Sequence, residues 1–396
     1  MASASQCLII TTETMKIVLN LILAKQTSMG GYNVALNFYK QTLQDNDNEW
    51  FYFVSKDFDA DIKGRENGMD ERHYRVFHSQ PNFWQLFKEK PLVRHAEEEI
   101  GPHVIYSILA PRYHRFKSVE VMRCANAWTV VGGVNKYALS VTPFPYLLRY
   151  RLKSWVTRYL MHNTKYFITQ TEIAKKCILK TVHTYSENVC VVSNVLSEKY
   201  QKACREKISH KGFNMVYISS PSVHKDYLLL PYVALILVKR YDIKDFKIHI
   251  TLPDYCSSVF KQLIDVNDLS NYFVNHGFLN SNELIDLYRQ CDLGLFPSLL
   301  ETFSATLLEY MYFSLPIVAS DLDFNKEVTD NAALYFEPHN AEDMAEKIYQ
   351  LYSNKALTQV LLDNASLRLS YFTDNSAKYS ETVQFLKWVS GQGHES

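Results

Sequence analysis

The sequence predicts an α/β fold built on parallel sheets. Apolar runs of strand length recur along the chain, amphipathic stretches of helical period separate them, and the runs are continuous rather than alternating. Continuous Val/Ile/Leu runs are those of strands covered on both faces, as in parallel sheets with helices above and below. In order, the predicted strands are Ile17–Leu23, Trp50–Val54, Val104–Ile108, Tyr166–Thr169, Val189–Val192, Met215–Ser219, Lys247–Thr251, Leu293–Phe296, Ile317–Ala319 and Ala333–Phe336, with Tyr272–Asn275 strand-like as well. After the first strand, Met29-Gly30-Gly31-Tyr32-Asn33 opens a helix expected over Val34–Leu43; the two glycines let backbone approach a phosphate, or simply make a tight turn.

The chain of 396 residues is long enough for two or three domains, each with its own core. Between Asn194 and Phe213 it turns polar and charged. The expected division is therefore a leader over residues 1–14, disordered or an overlong start, a Rossmann-like domain over 15–195, a second over 213–375, and a C-terminal segment 376–396 that can return onto the first.

Lys plus Arg and Asp plus Glu both total 42, a balance that argues against a nucleic-acid partner. Seven cysteines (Cys7, Cys124, Cys177, Cys190, Cys204, Cys256 and Cys291) include no C-x-x-C pair, which reads as reduced thiols in the cytoplasm and no metal site. The run Ile17–Ala24 is too short and too polar at Asn20 for a signal sequence. Tyr227–Val238, the longest charge-free apolar stretch of the second half, is expected to be broken by Pro231 and falls short of the ~20 residues that span a bilayer.

The most informative segment is Pro297-Ser298-Leu299-Leu300-Glu301-Thr302-Phe303-Ser304-Ala305-Thr306-Leu307-Leu308-Glu309, between the strand Leu293–Phe296 and a short helix ending near Pro316. A loop at a strand's carboxyl end faces the ligand crevice of an open parallel sheet, and free N–H groups near Ser304–Thr306 suit a diphosphate. Glu301 could accept bonds from sugar hydroxyls and Glu309 could reach a ribose diol. By spacing alone, Glu301 as an acid complementing the helix dipole and Glu309 as a solvated helix residue is the commoner reading.

The segment E-T-F-S-A-T-L-L-E followed by Leu315-Pro316-Ile317-Val318-Ala319-Ser320-Asp321 resembles the E-x7-E donor-site signature of family-4-like retaining glycosyltransferases of the GT-B fold, the group 1 type, and is similar to that of bacterial surface-polysaccharide transferases. His276-Gly277-Phe278, Glu283 to Tyr288 and Cys291-Asp292-Leu293 resemble the segment leading into that motif, and the likeness spans about residues 213–372. It implies two Rossmann-like domains facing across a cleft. It also implies transfer of a sugar from a nucleotide-diphosphate-sugar, bound as substrate with no cofactor and no metal, to a saccharide or lipid-linked saccharide acceptor with retention, in cell-surface polysaccharide synthesis. A non-catalytic GT-B scaffold or regulatory protein and a nucleotide-sugar epimerase are the alternatives. Residue by residue, the resemblance makes Glu301 the acid that holds the donor sugar and Glu309 the acid on the ribose. Phe303, Ser304, Ala305 and Thr306 offer backbone amides, Lys225 neutralises the diphosphate, Gly277 and Phe278 meet the base, and Gly30 and Gly31 approach the phosphates. Where the family often has Gly-Arg after the strand, this chain has Ser219-Ser220-Pro221.

Val119 to Trp128 resembles the acceptor region of those transferases, but Glu120 stands where a His is expected and Arg123 where a Gly is expected. Arg112, Tyr113, His114 and Asn126 are the remaining acceptor-side candidates, each equally readable as a packing or loop residue. From Glu120 to Glu172 the chain carries seven bases and no intervening acid. Within it, over 146–161, Leu148, Leu152, Trp155 and Tyr159 share one helical face, flanked by Arg149 and Lys153 on one side and Arg151 and Arg158 on the other. This is either a helix lying on an anionic membrane surface, which would make the protein peripheral on the inner membrane face, or a buried helix with a solvated rim.

Overall fold

The computed structural model describes residues 14–24, 29–63, 73–78, 83–109, 114–130, 135–253 and 257–392. Among them, thirteen strands form two sheets: β1 (Met15–Leu21), β2 (Asn48–Ser55), β3 (Tyr74–Phe77), β4 (Val104–Ser107), β5 (Glu120–Arg123), β6 (Tyr166–Thr169) and β7 (Val189–Val191), then β8 (Phe213–Tyr217), β9 (Phe246–Ile250), β10 (Phe273–Asn275), β11 (Leu293–Phe296), β12 (Ile317–Ser320) and β13 (Ala333–Phe336). The sheet orders are β3-β2-β1-β4-β5-β6-β7 and β10-β9-β8-β11-β12-β13. Each begins from its first strand, grows one way, then reverses, the doubly wound order of Rossmann-like sheets. The pairings of β1 with β2 and β4, and of β11 with β8 and β12, are parallel, as the continuous apolar runs require.

The chain divides into two compact units, one of Met1–Arg123, Thr164–Phe167 and Thr382–Ser396, the other of Cys124–Asn163 and Ile168–Glu381. In the first, Val18, Ile22, Phe51, Phe53, Phe77 and Ile105 pack with Val93, Ala96 and Ile100 of the helix Phe83–Ile100. In the second, the helices Leu230–Lys239 and Ala341–Ser353 cover one side of the core around Met215, Ile248 and Leu295, while the helix Ala305–Tyr312 packs with Val216, Phe296 and Ala319. These clusters are where apolar burial supplies most of the folding free energy.

Four expectations change. The first helix runs Met29–Thr42, so Gly30 and Gly31 lie within its first turn rather than ahead of it. Pro231 does not break its stretch: it sits in the first turn of the helix Leu230–Lys239, where its missing N–H has no intrahelical partner to lose. β3 and β5 were not legible as strands. β3 is short and only partly buried, and β5 begins and ends on charge. Glu120 and Arg123, at the departures from the family pattern, are buried residues of β5. Glu120 is accommodated because β4 pairs with both β1 and β5: the Ser107 hydroxyl accepts from Asn20 Nδ2 at 3.0 Å and donates to Glu120 Oε1 at 2.5 Å. Among the described residues, no helix is long and apolar enough to cross a membrane, and Cys177, Cys190, Cys204 and Cys291 are free thiols.

β11 carries a glycine because it has no room for more. A Cβ on Gly294 would collide with the ring of Tyr310. That ring cannot withdraw, since it is fully buried and its hydroxyl donates toward the carbonyls of Val216 (3.1 Å) and Leu295 (3.4 Å). Gly294→Ala is expected to cost about 1–3 kcal/mol, the range for overpacking a rigid core, read as a lowered urea midpoint; an unchanged midpoint would show that Tyr310 yields.

Candidate functional site

The second unit assembles the loop after β11, the turn after β8 and the helix Ala305–Tyr312. The loop is held from several sides. Leu299 N donates to His224 O at 2.7 Å, and Asn135 Nδ2 donates to Leu299 O at 2.5 Å. Ser320 Oγ bonds Ser298 O at 2.5 Å, Thr302 Oγ1 bonds Ala125 O at 3.1 Å, and Thr171 Oγ1 bonds Thr302 O at 3.1 Å. A loop whose backbone is fixed this thoroughly presents its side chains in one geometry.

That geometry brings together two residues 76 apart in sequence: the Lys225 ammonium forms an ion pair with Glu301 Oε1. Both are mostly buried, with 19% and 12% of their side chains exposed, and Ser298 Oγ adds a bond to Glu301 Oε1 at 3.2 Å. Lys225 ends the single 3₁₀ turn Val223–Lys225 and is followed by Asp226 in the left-handed region at φ 53°. This turn is anchored too: Tyr217 Oη donates to Lys225 O at 3.1 Å, and the buried Asp226 carboxylate lies 2.9 Å, through either oxygen, from His339 Nδ1. Burial pushes the Asp226 carboxyl up and His339 opposes it. His224 is held neutral, its pKa lowered to about 3 by burial and then by the Lys225 charge; it stands 3.3 Å from Trp128 Nε1. Trp128 in turn stacks on Tyr150 with centroids 4.5 Å apart.

Ser304 is the N-cap of the helix Ala305–Tyr312; its side chain makes no capping bond and no acid occupies the first turn. The first backbone N–H groups thus keep their capacity to bind an anion. Ser304 is buried, Ala305 exposed and Thr306 half-buried. The Phe303 ring is not turned to an open site: it packs edge-on against Phe372 at 5.7 Å, leaving backbone as what this residue can offer a ligand.

Glu309 is half-buried rather than fully solvated. Its Oε2 accepts a 2.5 Å bond from Tyr288 Oη, and burial raises its pKa to about 7 against the lowering effect of that bond. Tyr200 and Tyr288 pack as neighbours and burial pushes both phenols up, so both remain neutral. Gly277, after β10, adopts φ 63°, a conformation that favours glycine, and its N–H donates to Asn275 Oδ1 at 3.1 Å; Phe278 beside it is exposed.

In the first unit, Gly31 faces Leu109, whose Cδ2 would lie 3.1 Å from an added Cβ, whereas Gly30 is open. His114 is buried there. In the second unit Asn126 Oδ1 accepts from Thr129 N at 3.0 Å and so caps the short helix Ala127–Val130. Arg112 and Tyr113 lie outside the described residues. Asn135, Ser298, His224 and Tyr288 were not singled out from sequence. Ser298, His224 and Tyr288, within or next to recognised motifs, carried a signal; Asn135 joins the site through a long-range hydrogen bond.

Residues 257–368 match the family model "Glycosyl transferases group 1", a span holding Glu301, Glu309 and the helix between them. This segment belongs to the glycosyl transferases group 1 family. The O-antigen chain mannosyltransferase RfbU of Salmonella typhimurium is 25% identical over 210 residues, 50% of this chain and 53% of that one. The N,N'-diacetylbacillosaminyl-diphospho-undecaprenol alpha-1,3-N-acetylgalactosaminyltransferase of Campylobacter jejuni is 29% identical over 109 residues, 26% and 29% of the two chains. The chain thus spans about half or less of the length of these curated relatives. Among solved structures, Anabaena HepE in complex with UDP and glucose superposes with a TM-score of 0.67 at 16% identity, covering 94% of this chain and 99% of that one. A glycosyltransferase of Rickettsia africae gives 0.67 at 14% identity over 95% and 98%. The group 1 segment therefore sits in a GT-B fold.

Proposed function

We propose that the protein is a retaining glycosyltransferase that moves a sugar from a nucleotide-diphosphate-sugar to a saccharide or lipid-linked saccharide acceptor of cell-surface polysaccharide synthesis, without a metal ion. The Lys225–Glu301 ion pair beside an uncapped helix N-terminus carries this reading. A diphosphate arriving at the helix N-terminus draws the Lys225 ammonium onto its oxygens, and Glu301, released from the pair, accepts bonds from donor-sugar hydroxyls. Glu309, already accepting from Tyr288, takes the ribose diol. The backbone N–H groups of Ser304 to Thr306 add to the charge that stabilises the leaving group. The C1–O bond to the diphosphate breaks with its electron pair going to the diphosphate. The acceptor oxygen bonds C1 from the same face, and its proton passes to the departing diphosphate oxygen. Support comes from the family match across the two acids and from relatives whose names are those of polysaccharide and lipid-linked saccharide transferases.

The test is a melting-temperature screen of nucleotide-sugars, followed by turnover with saccharide acceptors and the anomeric proton coupling of the product. Retained configuration is expected. An inverted product overturns the stereochemistry. Donor rearranged in the absence of acceptor identifies an epimerase, and binding without turnover of any acceptor a scaffold.

A further inference from the structure

We propose that the outward face of the helix Phe144–Met161 docks on an anionic lipid surface, a proposal that does not rest on the transferase reading. The helix is built inside out for a soluble protein. Its buried side carries Ser154, Thr157 and Met161, whereas Phe144, Leu148, Leu152, Trp155, Val156 and Tyr159 are all exposed, Phe144 by 74%, Leu152 by 62% and Trp155 by 66%. At about 100° per residue these six span roughly a third of the circumference, an unbroken apolar face opposite the buried one. Scattered exposed apolar residues need no explanation, but a contiguous face of this size does.

Charge decides what covers it. Arg149 and Lys153 border one edge and Arg151 the other, all three exposed. Arg158 lies on the Arg151 side, its guanidinium turned to the Thr129 carbonyl at 3.3 and 3.4 Å. From Val121 to Thr171 the sequence holds no Asp or Glu. A second copy pairing through this face would set base against base with no acid to receive it, because a two-fold contact matches a surface with itself. Anionic headgroups above a hydrocarbon layer supply both things the face lacks: negative charge for the edges and an apolar medium for the centre. Trp155 and Tyr159, stacked with centroids 6.3 Å apart, are of the side-chain types that favour the boundary between headgroup and acyl chain.

The experiment is co-sedimentation of the full chain with phosphatidylcholine vesicles, with and without phosphatidylglycerol, at low and high salt. Binding to the anionic vesicles that weakens with salt is expected. Arg149→Glu/Lys153→Glu should lower the partition coefficient at least about tenfold, and so should Leu152→Ser/Trp155→Ser, with the melting temperature of both variants unchanged. Brominated acyl chains should quench wild-type tryptophan fluorescence and that of Leu152→Ser/Trp155→Ser much less. No association with anionic vesicles at low salt overturns the proposal. So does a wild-type dimer in solution that Leu152→Ser/Trp155→Ser dissociates, which would assign the face to a second copy. A large fall in the melting temperature of that variant would show the face to be covered within the protein.

Discussion

Lys225→Ala is expected to lower turnover of the cognate nucleotide-sugar about 10²–10³-fold, the loss seen when a preorganised charge facing a departing oxyanion is removed. The substitution also strips Glu301 of its partner in a mostly buried pair, and an uncompensated buried charge can destabilise by about 3–5 kcal/mol. A fall in rate alone would therefore be ambiguous. The double variant Lys225→Ala/Glu301→Gln removes the unpaired charge, and should recover melting temperature while remaining as slow as Lys225→Ala. Glu301→Ala alone should depress kcat more than it raises KM, since the acid is placed to hold the sugar that changes in the transition state. If Lys225→Ala turns over at the wild-type rate, the diphosphate clamp lies elsewhere. EDTA should leave the wild-type rate within about twofold, because Lys225 and the helix N-terminus provide the positive charge that a divalent ion would otherwise bring. Activity abolished by EDTA and restored by Mg²⁺ or Mn²⁺ would overturn the metal-free mechanism.

What the sequence made legible follows from range. Strands buried on both faces write themselves as apolar runs, so Tyr166–Thr169, Leu293–Phe296 and Ala333–Phe336 coincide with the observed β6, β11 and β13. β5 was hidden because Glu120 and Arg123 bracket two apolar residues, and the Ser107 hydroxyl that makes Glu120 tolerable belongs to another strand. The same limit governs the site. Glu301 and Glu309 could be singled out because they stand in one short segment that, with its flanks, resembles a known signature. That Lys225 meets Glu301, or that Asn135 fixes the Leu299 carbonyl across 164 residues, has no local record. The helix Phe144–Met161 could be written as amphipathic from sequence, but periodicity gives only that one face is apolar. Which face turns inward is set by the neighbours, here Trp128 stacked on Tyr150 and the Trp128 carbonyl accepting from Ser154 Oγ at 3.2 Å, and these select the polar side.

Glu309→Gln should move stability and binding in opposite directions. Burial raises the folded-state pKa of Glu309 to about 7, above the ordinary carboxyl range, so between about pH 4.5 and 7 the folded chain holds a proton that the unfolded chain has released. Stability from this group is then full at acid pH, declines as pH rises through that window, and is at its lowest above pH 7, where a charge must be kept in a poorly solvated place. The cost there is of order 1–3 kcal/mol. Gln keeps the shape, still accepts from Tyr288, and carries no charge. The melting temperature of Glu309→Gln should therefore exceed wild type by several degrees at pH 8 and match it near pH 5. Nucleotide-sugar affinity should change the other way. An ionised carboxylate accepting both ribose hydroxyls makes hydrogen bonds worth about 1–2 kcal/mol more than a neutral group does, so Glu309→Gln should bind about tenfold more weakly at pH 8. Wild-type affinity should fall toward the variant's as pH drops below 7, and the variant's should stay flat. The probe has to be an intact nucleotide-sugar, because its diphosphate has no free terminal group titrating in this window. Equal affinities at pH 8 would remove Glu309 from the donor site. A melting-temperature gap that fails to open with pH would mean that the carboxyl is better solvated than its packing against Tyr288 implies.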